Sequence, residues 1–143
     1  MTERARRSRW ALVALALLAA AGCAPPDAPQ PIAWDREPCA HCRMLIGAPA
    51  FAAQLVRADG RVESFDDPGC LLARLDEEGA RVHALWFHHL REDRWLPGDR
   101  VAFVRVSPTP MNYGFGAVDP GTPGALALDD VRAELRARRS AAP

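Results

Sequence analysis

Lysine is absent: all 18 basic residues of the 143-residue chain are arginine, and 18 acidic residues balance them. That absence excludes Schiff-base chemistry on a lysine amine and the phosphate-gripping lysine of a Walker loop. A membrane-spanning run is also missing. The longest uncharged, nearly all-apolar stretch covers the 13 residues from Trp10 to Gly22, short of the roughly 20 a spanning helix needs. It follows Arg4, Arg6, Arg7 and Arg9, and a basic segment before a short apolar one reads as an export signal over residues 1–22. Without that segment the chain has a net charge of −3, so the basic excess of a nucleic-acid binder is lacking and no nucleic-acid partner is expected. No Ser-His-Asp order, glycine-rich phosphate loop or H-E-x-x-H occurs. Nothing in the chain therefore points to an enzyme of those classes, and roughly 120 residues suffice for one domain that needs no disulfide.

What is present begins at the end of the apolar run. Leu18-Ala19-Ala20-Ala21-Gly22-Cys23 resembles a bacterial lipobox, which makes Cys23 the acylated first residue of the mature chain; ordinary cleavage near Ala21 is the alternative. Two or more acyl chains give stable anchoring. The expected location is the bacterial cell membrane or outer membrane, lipid-anchored through Cys23, with the domain facing the periplasm. Pro25, Pro26, Pro29 and Pro31 follow, and such a stretch favours extended polyproline II, about 3 Å per residue. Residues 23–36 are thus expected to be a tether of about 30 Å, and residues 37–143 a single metal-binding domain.

Within that domain, residues 51–57 and 61–65 alternate apolar with polar or small side chains around Asp59-Gly60, a pair that predicts a type I′ hairpin. Asp67 offers a cap and Pro68 a first helical position, and Leu71, Leu72 and Leu75 share one face before Gly79. Strands are expected near 82–89 and 101–106, turns over 108–124 and a charged helix near 130–138. An echo links the halves. Phe65-Asp66-Asp67 with Leu72 matches Leu128-Asp129-Asp130 with Leu135, and Met44 and Met111 lie upstream of the two motifs. The pattern predicts an α+β fold of two β-β-α units packed around one core, each bringing one methionine to a corresponding place.

Pro38-Cys39-Ala40-His41-Cys42-Arg43-Met44 holds two thiols, an imidazole and a thioether. Thiolate and thioether donors select Cu(I), whereas zinc usually takes a complete nitrogen and sulfur set without methionine. Cys70, His83, His88 and His89 are available to complete a zinc site, but without paired spacing. Met44 two residues from a thiol, and Met111 in the turn-prone Pro108-Thr109-Pro110-Met111-Asn112-Tyr113-Gly114, stand against the alternative of flexible core fillers. A thiol–disulfide oxidoreductase is the second reading of Cys39-x-x-Cys42. It lacks the preceding strand and following long helix of a thioredoxin-like motif. Cys70, beside Leu71 and Leu72, reads as a small buried hydrophobe rather than a third ligand. His88 and His89, adjacent on a strand, point to opposite faces, so at most one faces a site.

The order of these motifs, lipobox, C-x-x-C-x-M, Val62-Glu63-Ser64-Phe65-Asp66-Asp67-Pro68-Gly69-Cys70-Leu71 and Thr109-Pro110-Met111 before glycines, resembles the NosL family. The resemblance implies a membrane-anchored Cu(I) chaperone for nitrous oxide reductase, working with that enzyme or its membrane maturation complex, which includes an ABC-type transporter. It also implies a fold similar to organomercurial lyase and TRASH-type domains. Carried over, the metal ligands are Cys39 or Cys42, Met44 and Met111, and Arg43 stands where that family usually has glycine; His41, within the motif, is a candidate further donor from the residues themselves.

Overall fold

Two antiparallel hairpins, each followed by a helix, supply most of the regular structure. The computed structural model describes residues 24–78 and 81–141, so the export signal and Cys23 lie outside the described residues. Strands β1 (Ala53–Arg57) and β2 (Val62–Phe65) pair with Ala53 opposite Phe65 and Val56 opposite Val62. Their connection differs from the expected type I′ turn. Gly60 alone has positive φ, its N–H donates to the Arg57 carbonyl (2.9 Å), and the Arg57 N–H donates to the Arg61 carbonyl (2.8 Å). This is a three-residue loop with a left-handed glycine. The Asp59 carboxylate, which accepts the Arg61 N–H at 3.0 Å, holds it.

Helix α1 (Pro68–Glu78) starts where expected. Asp Oδ1 at position 67 accepts the Gly69 N–H at 2.9 Å, which satisfies one of the unpaired donors of the first turn. Leu71, Leu72 and Leu75 are buried. Strand β3 (Val82–His88) lies against β1, and β4 (Trp95–Pro97) closes a four-stranded sheet of order β2-β1-β3-β4. The second sheet holds β5 (Ala102–Arg105) between β6 (Phe115–Val118) and β7 (Leu126–Ala127), and helix α2 (Leu128–Ser140) buries Val131 and Leu135. The turn-rich stretch thus contains a strand. Phe-Gly-Ala-Val is short, and only tertiary packing explains its glycine: a Cβ on Gly116 would lie 2.8 Å from Leu90 Cδ1.

The sheets meet over a shared core. The Phe87 ring meets Phe103 edge-on at 5.1 Å, and Phe65, Leu72, Phe115 and Leu135 are buried in the same cluster. The Leu90 N–H donates to the Ala117 carbonyl at 2.8 Å, stitching one sheet to the other. The molecule is a small mixed α+β domain of two antiparallel sheets and two helices. No helix among the described residues is long and apolar enough to cross a membrane.

The proline-rich stretch is not a free tether along its length. Gln54, fully buried in central strand β1, accepts the Gln30 N–H (2.8 Å) and donates to the Gln30 carbonyl (2.9 Å). A buried amide needs such partners, and the chain segment supplies both. Ile32 joins the core, and Asp27 pairs with His83 at 2.6 Å. Among the described residues, 24–26 alone precede the first of these contacts.

Candidate metal centre

Residues 38–45 fold into a tight knuckle. Pro38 bridges Leu45, the Cys39 N–H donates to the Met44 carbonyl (2.8 Å), and the Arg43 N–H donates to the Cys39 carbonyl (3.1 Å). Ala40 fastens the knuckle to β2 through its N–H to the Ser64 carbonyl (2.9 Å). Closing it puts Arg43 at φ 69°, a left-handed conformation that costs a side chain roughly 1–2 kcal/mol. A glycine at this position would take the same conformation without a side-chain clash. Replacing Arg43 with glycine is expected to raise stability by about 1 kcal/mol, less than the full strain because glycine loses more chain entropy. Chemical denaturation checks this; an unchanged or lower midpoint would mean the strain is absorbed elsewhere.

The knuckle carries Cys39, fully buried, and Cys42, half-buried. The third thiol comes from a distance: Cys70, in the first turn of α1, completes a group whose sulfur atoms all lie within 4.8 Å of one another. No disulfide joins them. The reading of Cys70 as a buried hydrophobe describes its burial and misses its thiol. Helical side chains lean toward the helix N-terminus, and here that end faces the knuckle.

The three sulfurs differ in charge state. Cys39 is pulled down to about 4, first by the Cys70 S–H that donates to it, then, against the cost of burial, by the backbone N–H groups of Asp66, Cys42 and His41. Cys70 is pushed far up by that hydrogen bond and by burial. Burial also raises Cys42. The group therefore holds one thiolate and two thiols, and a soft cation that takes all three sulfurs must displace protons.

Asp67 ties this site to the second half of the chain. Beyond capping α1, it accepts the Met111 N–H through Oδ2 at 3.1 Å and a hydrogen bond from Thr109; burial nevertheless raises its carboxyl above the usual range. Tyr113, two residues on, lies against the first turn of α1 so closely that a Cβ on Gly69 would sit 2.0 Å from its ring. Burial, then the neighbouring Cys70 and Asp67, raise its phenol. Tyr113 thus forms one wall of the thiol site, a contact no periodicity in the sequence signals.

Neither site methionine is a core filler. Met44 is 60% exposed and Met111 37% exposed. The backbone of Met44 is bonded to Cys39 and that of Met111 to Asp67, which ties each methionine's segment to one that carries a thiol. His41 turns instead to Glu77 on α1 (3.6 Å) and is not in the sulfur group. His83 is paired with Asp27. His88, also outside the group, contacts Asp93 (3.2 Å) and the edge of Trp95.

A second constellation, His89, Glu92 and Asp119, places its ligand atoms equally close, but its hydrogen bonds oppose a metal. His89 Nδ1 accepts the N–H groups of Arg91 (3.2 Å) and Glu92 (3.1 Å). The ring proton is therefore on Nε2, the nitrogen that faces the carboxylates. Arg94 already bridges Glu92 and Asp119.

No family model matches the chain, and neither a curated protein nor a solved structure is found to match it.

Proposed function

We propose that the protein is a membrane-anchored Cu(I) carrier that delivers copper to a periplasmic copper enzyme, with nitrous oxide reductase as the recipient implied by the NosL resemblance. The observation that carries this is the convergence of three sulfurs, two buried and one half-exposed, with two exposed methionines, Met44 and Met111, whose backbones are bonded to Cys39 and to Asp67. Soft sulfur donors hold Cu(I) in preference to harder ions. A thioether ligates without losing a proton, so the methionines can accept or release the ion at the surface while the thiols hold it below. Copper then passes by ligand exchange to an acceptor and is never released as a free ion. The hairpin-then-helix order of β1-β2-α1 and of β5-β6-β7-α2 supports two β-β-α units of the organomercurial lyase and TRASH-like kind, with Met111 supplied by the second.

An oxidoreductase finds some support in the Cys39 thiolate, but Cys39 begins a closed knuckle and does not open a helix of its own as a thioredoxin-like thiol does. Anaerobic titration with Cu(I) against a competing chelator, repeated with Zn(II), separates the readings. Tight Cu(I) binding over Zn(II), weakened about tenfold or more by Met111→Ala, is the expected result. Preference for zinc would remove the copper reading. Insulin-disulfide reduction that is lost with Cys42→Ser and indifferent to Met111→Ala would favour the enzyme.

A further inference from the structure

The distance from the acylation position to the folded surface is short. Cys23 precedes Asp27 by four residues, and Asp27 is already bonded to His83 at 2.6 Å. At no more than about 3.6 Å per residue, their Cα atoms cannot be more than about 14 Å apart. A lipid on Cys23 therefore holds the His83 end of the domain beside the headgroups and not about 30 Å above them.

That end has an unusual surface. Arg81 and Val82, at the start of β3, are both exposed, and five positions before Arg81 lies Asp76 on α1. Asp76 is shared by three guanidinium groups of α2: Arg132 (2.8 Å), Arg136 (2.6 Å) and Arg139. The carboxylate is recessed, with its side chain 13% exposed against 53% for Arg136. Asp129, exposed on the same flank of α2, acts on Arg136, so three arginines against two carboxylates leave this flank at net +1, on a chain that is net −3 once residues 1–22 are removed. Exposed Arg81 adds a further positive charge beside the leash.

We propose that this arginine face rests on an anionic phospholipid surface, guanidinium over phosphate, with Val82 against the headgroups. The short leash and the cationic face then act together: the lipid keeps the domain near the bilayer, and the arginines fix which way it turns. Cys70 lies six residues before Asp76 on α1, about 9 Å along the helix axis. The thiol group is thereby presented at a set height above the bilayer and does not tumble on its tether. The proposal rests on the reading of Cys23 as the acylated residue.

The test uses the lipid-modified protein purified from membranes and inserted into vesicles of phosphatidylcholine alone or with about one-third phosphatidylglycerol. Phenylglyoxal, a neutral arginine reagent, is applied and each arginine is followed by mass spectrometry. In the anionic vesicles at low salt, Arg132, Arg136 and Arg139 are expected to be protected about tenfold or more, relative to neutral vesicles, with Arg91 unchanged. High salt restores their modification. Arg136→Gln with Arg139→Gln is expected to cost Arg132 most of its protection. Equal modification in the two vesicle types would overturn the proposal, as would protection independent of lipid charge, the result for a face that docks on an acidic protein. A chain whose mass shows no acyl groups would overturn the anchor reading instead, and Cu(I) titration of the same sample remains independent of both.

Discussion

Replacing Cys39 with serine is expected to weaken Cu(I) binding by about 100- to 1,000-fold. Structural metal sites with four ligands are worth about 10–16 kcal/mol, so one strong ligand carries about 3–4 kcal/mol, or two to three orders of magnitude. Cys39 should lie at the upper end because its thiol is already held as thiolate by the Cys70 S–H and three backbone N–H groups. Serine keeps the volume but offers a hard, protonated oxygen. Cys70→Ser tests the geometry more sharply. A knuckle acting alone would be indifferent to a residue 31 positions past Cys39, whereas a three-sulfur site loses a ligand and the hydrogen bond that stabilises the thiolate. A similar loss, about 100-fold, is expected for it. Competition against a Cu(I) chelator measures both, with circular dichroism to verify folding. Affinity within about threefold of the parent for either variant would exclude that sulfur as a ligand.

Asp67→Ala is expected to cost about 3 kcal/mol of folding stability, among the largest effects of any polar substitution in the domain. It removes the cap of α1 and leaves the Gly69 and Met111 N–H groups without their acceptor. Asp67→Asn separates the two roles. Its single carbonyl can keep the cap, but its amide N–H₂ then faces the Met111 N–H, donor against donor. About half the stability loss is expected, together with a release of the Met111 loop that Asp67 now fastens to the thiol site. Urea denaturation reads the first effect; hydrogen exchange at Met111 and Cu(I) transfer rate read the second. The burial that raises the Asp67 carboxyl sets the pH dependence. Because its folded pKa lies above its unfolded one, ionisation of this group costs stability as pH rises through the carboxylate range, and Asp67→Asn removes that slope. Equal stability of parent and Asp67→Ala would show that the tie between the halves is dispensable.

Local pattern was enough where the structure is local. Asp67-Pro68 before a leucine face specifies α1 because capping and helical period act within one turn. The alternation about Asp59-Gly60 specifies the first hairpin, although the side chain of Asp59 and a left-handed Gly60 selected a three-residue loop. Strand β6 was hidden inside a turn-rich stretch, since four small or apolar residues become a strand only when β5 pairs with them. The proline-rich stretch docks for a similarly non-local reason. Proline content describes the stretch as an isolated chain, and its docking depends on the buried amide of Gln54, more than 20 residues away.

The amino-acid sequence by itself determined which donors are on offer: thiols beside a thioether, a set that suits a soft metal by donor type. Tertiary structure decided which sulfurs come together. Cys70 reads as a core residue along the chain because burial and ligation ask for the same small side chain. Only the packing of the first turn of α1 against the knuckle turns its thiol toward Cys39. Charge divides in the same way: composition fixes the total, and only folding gathers three arginines of α2 around the recessed carboxylate of Asp76.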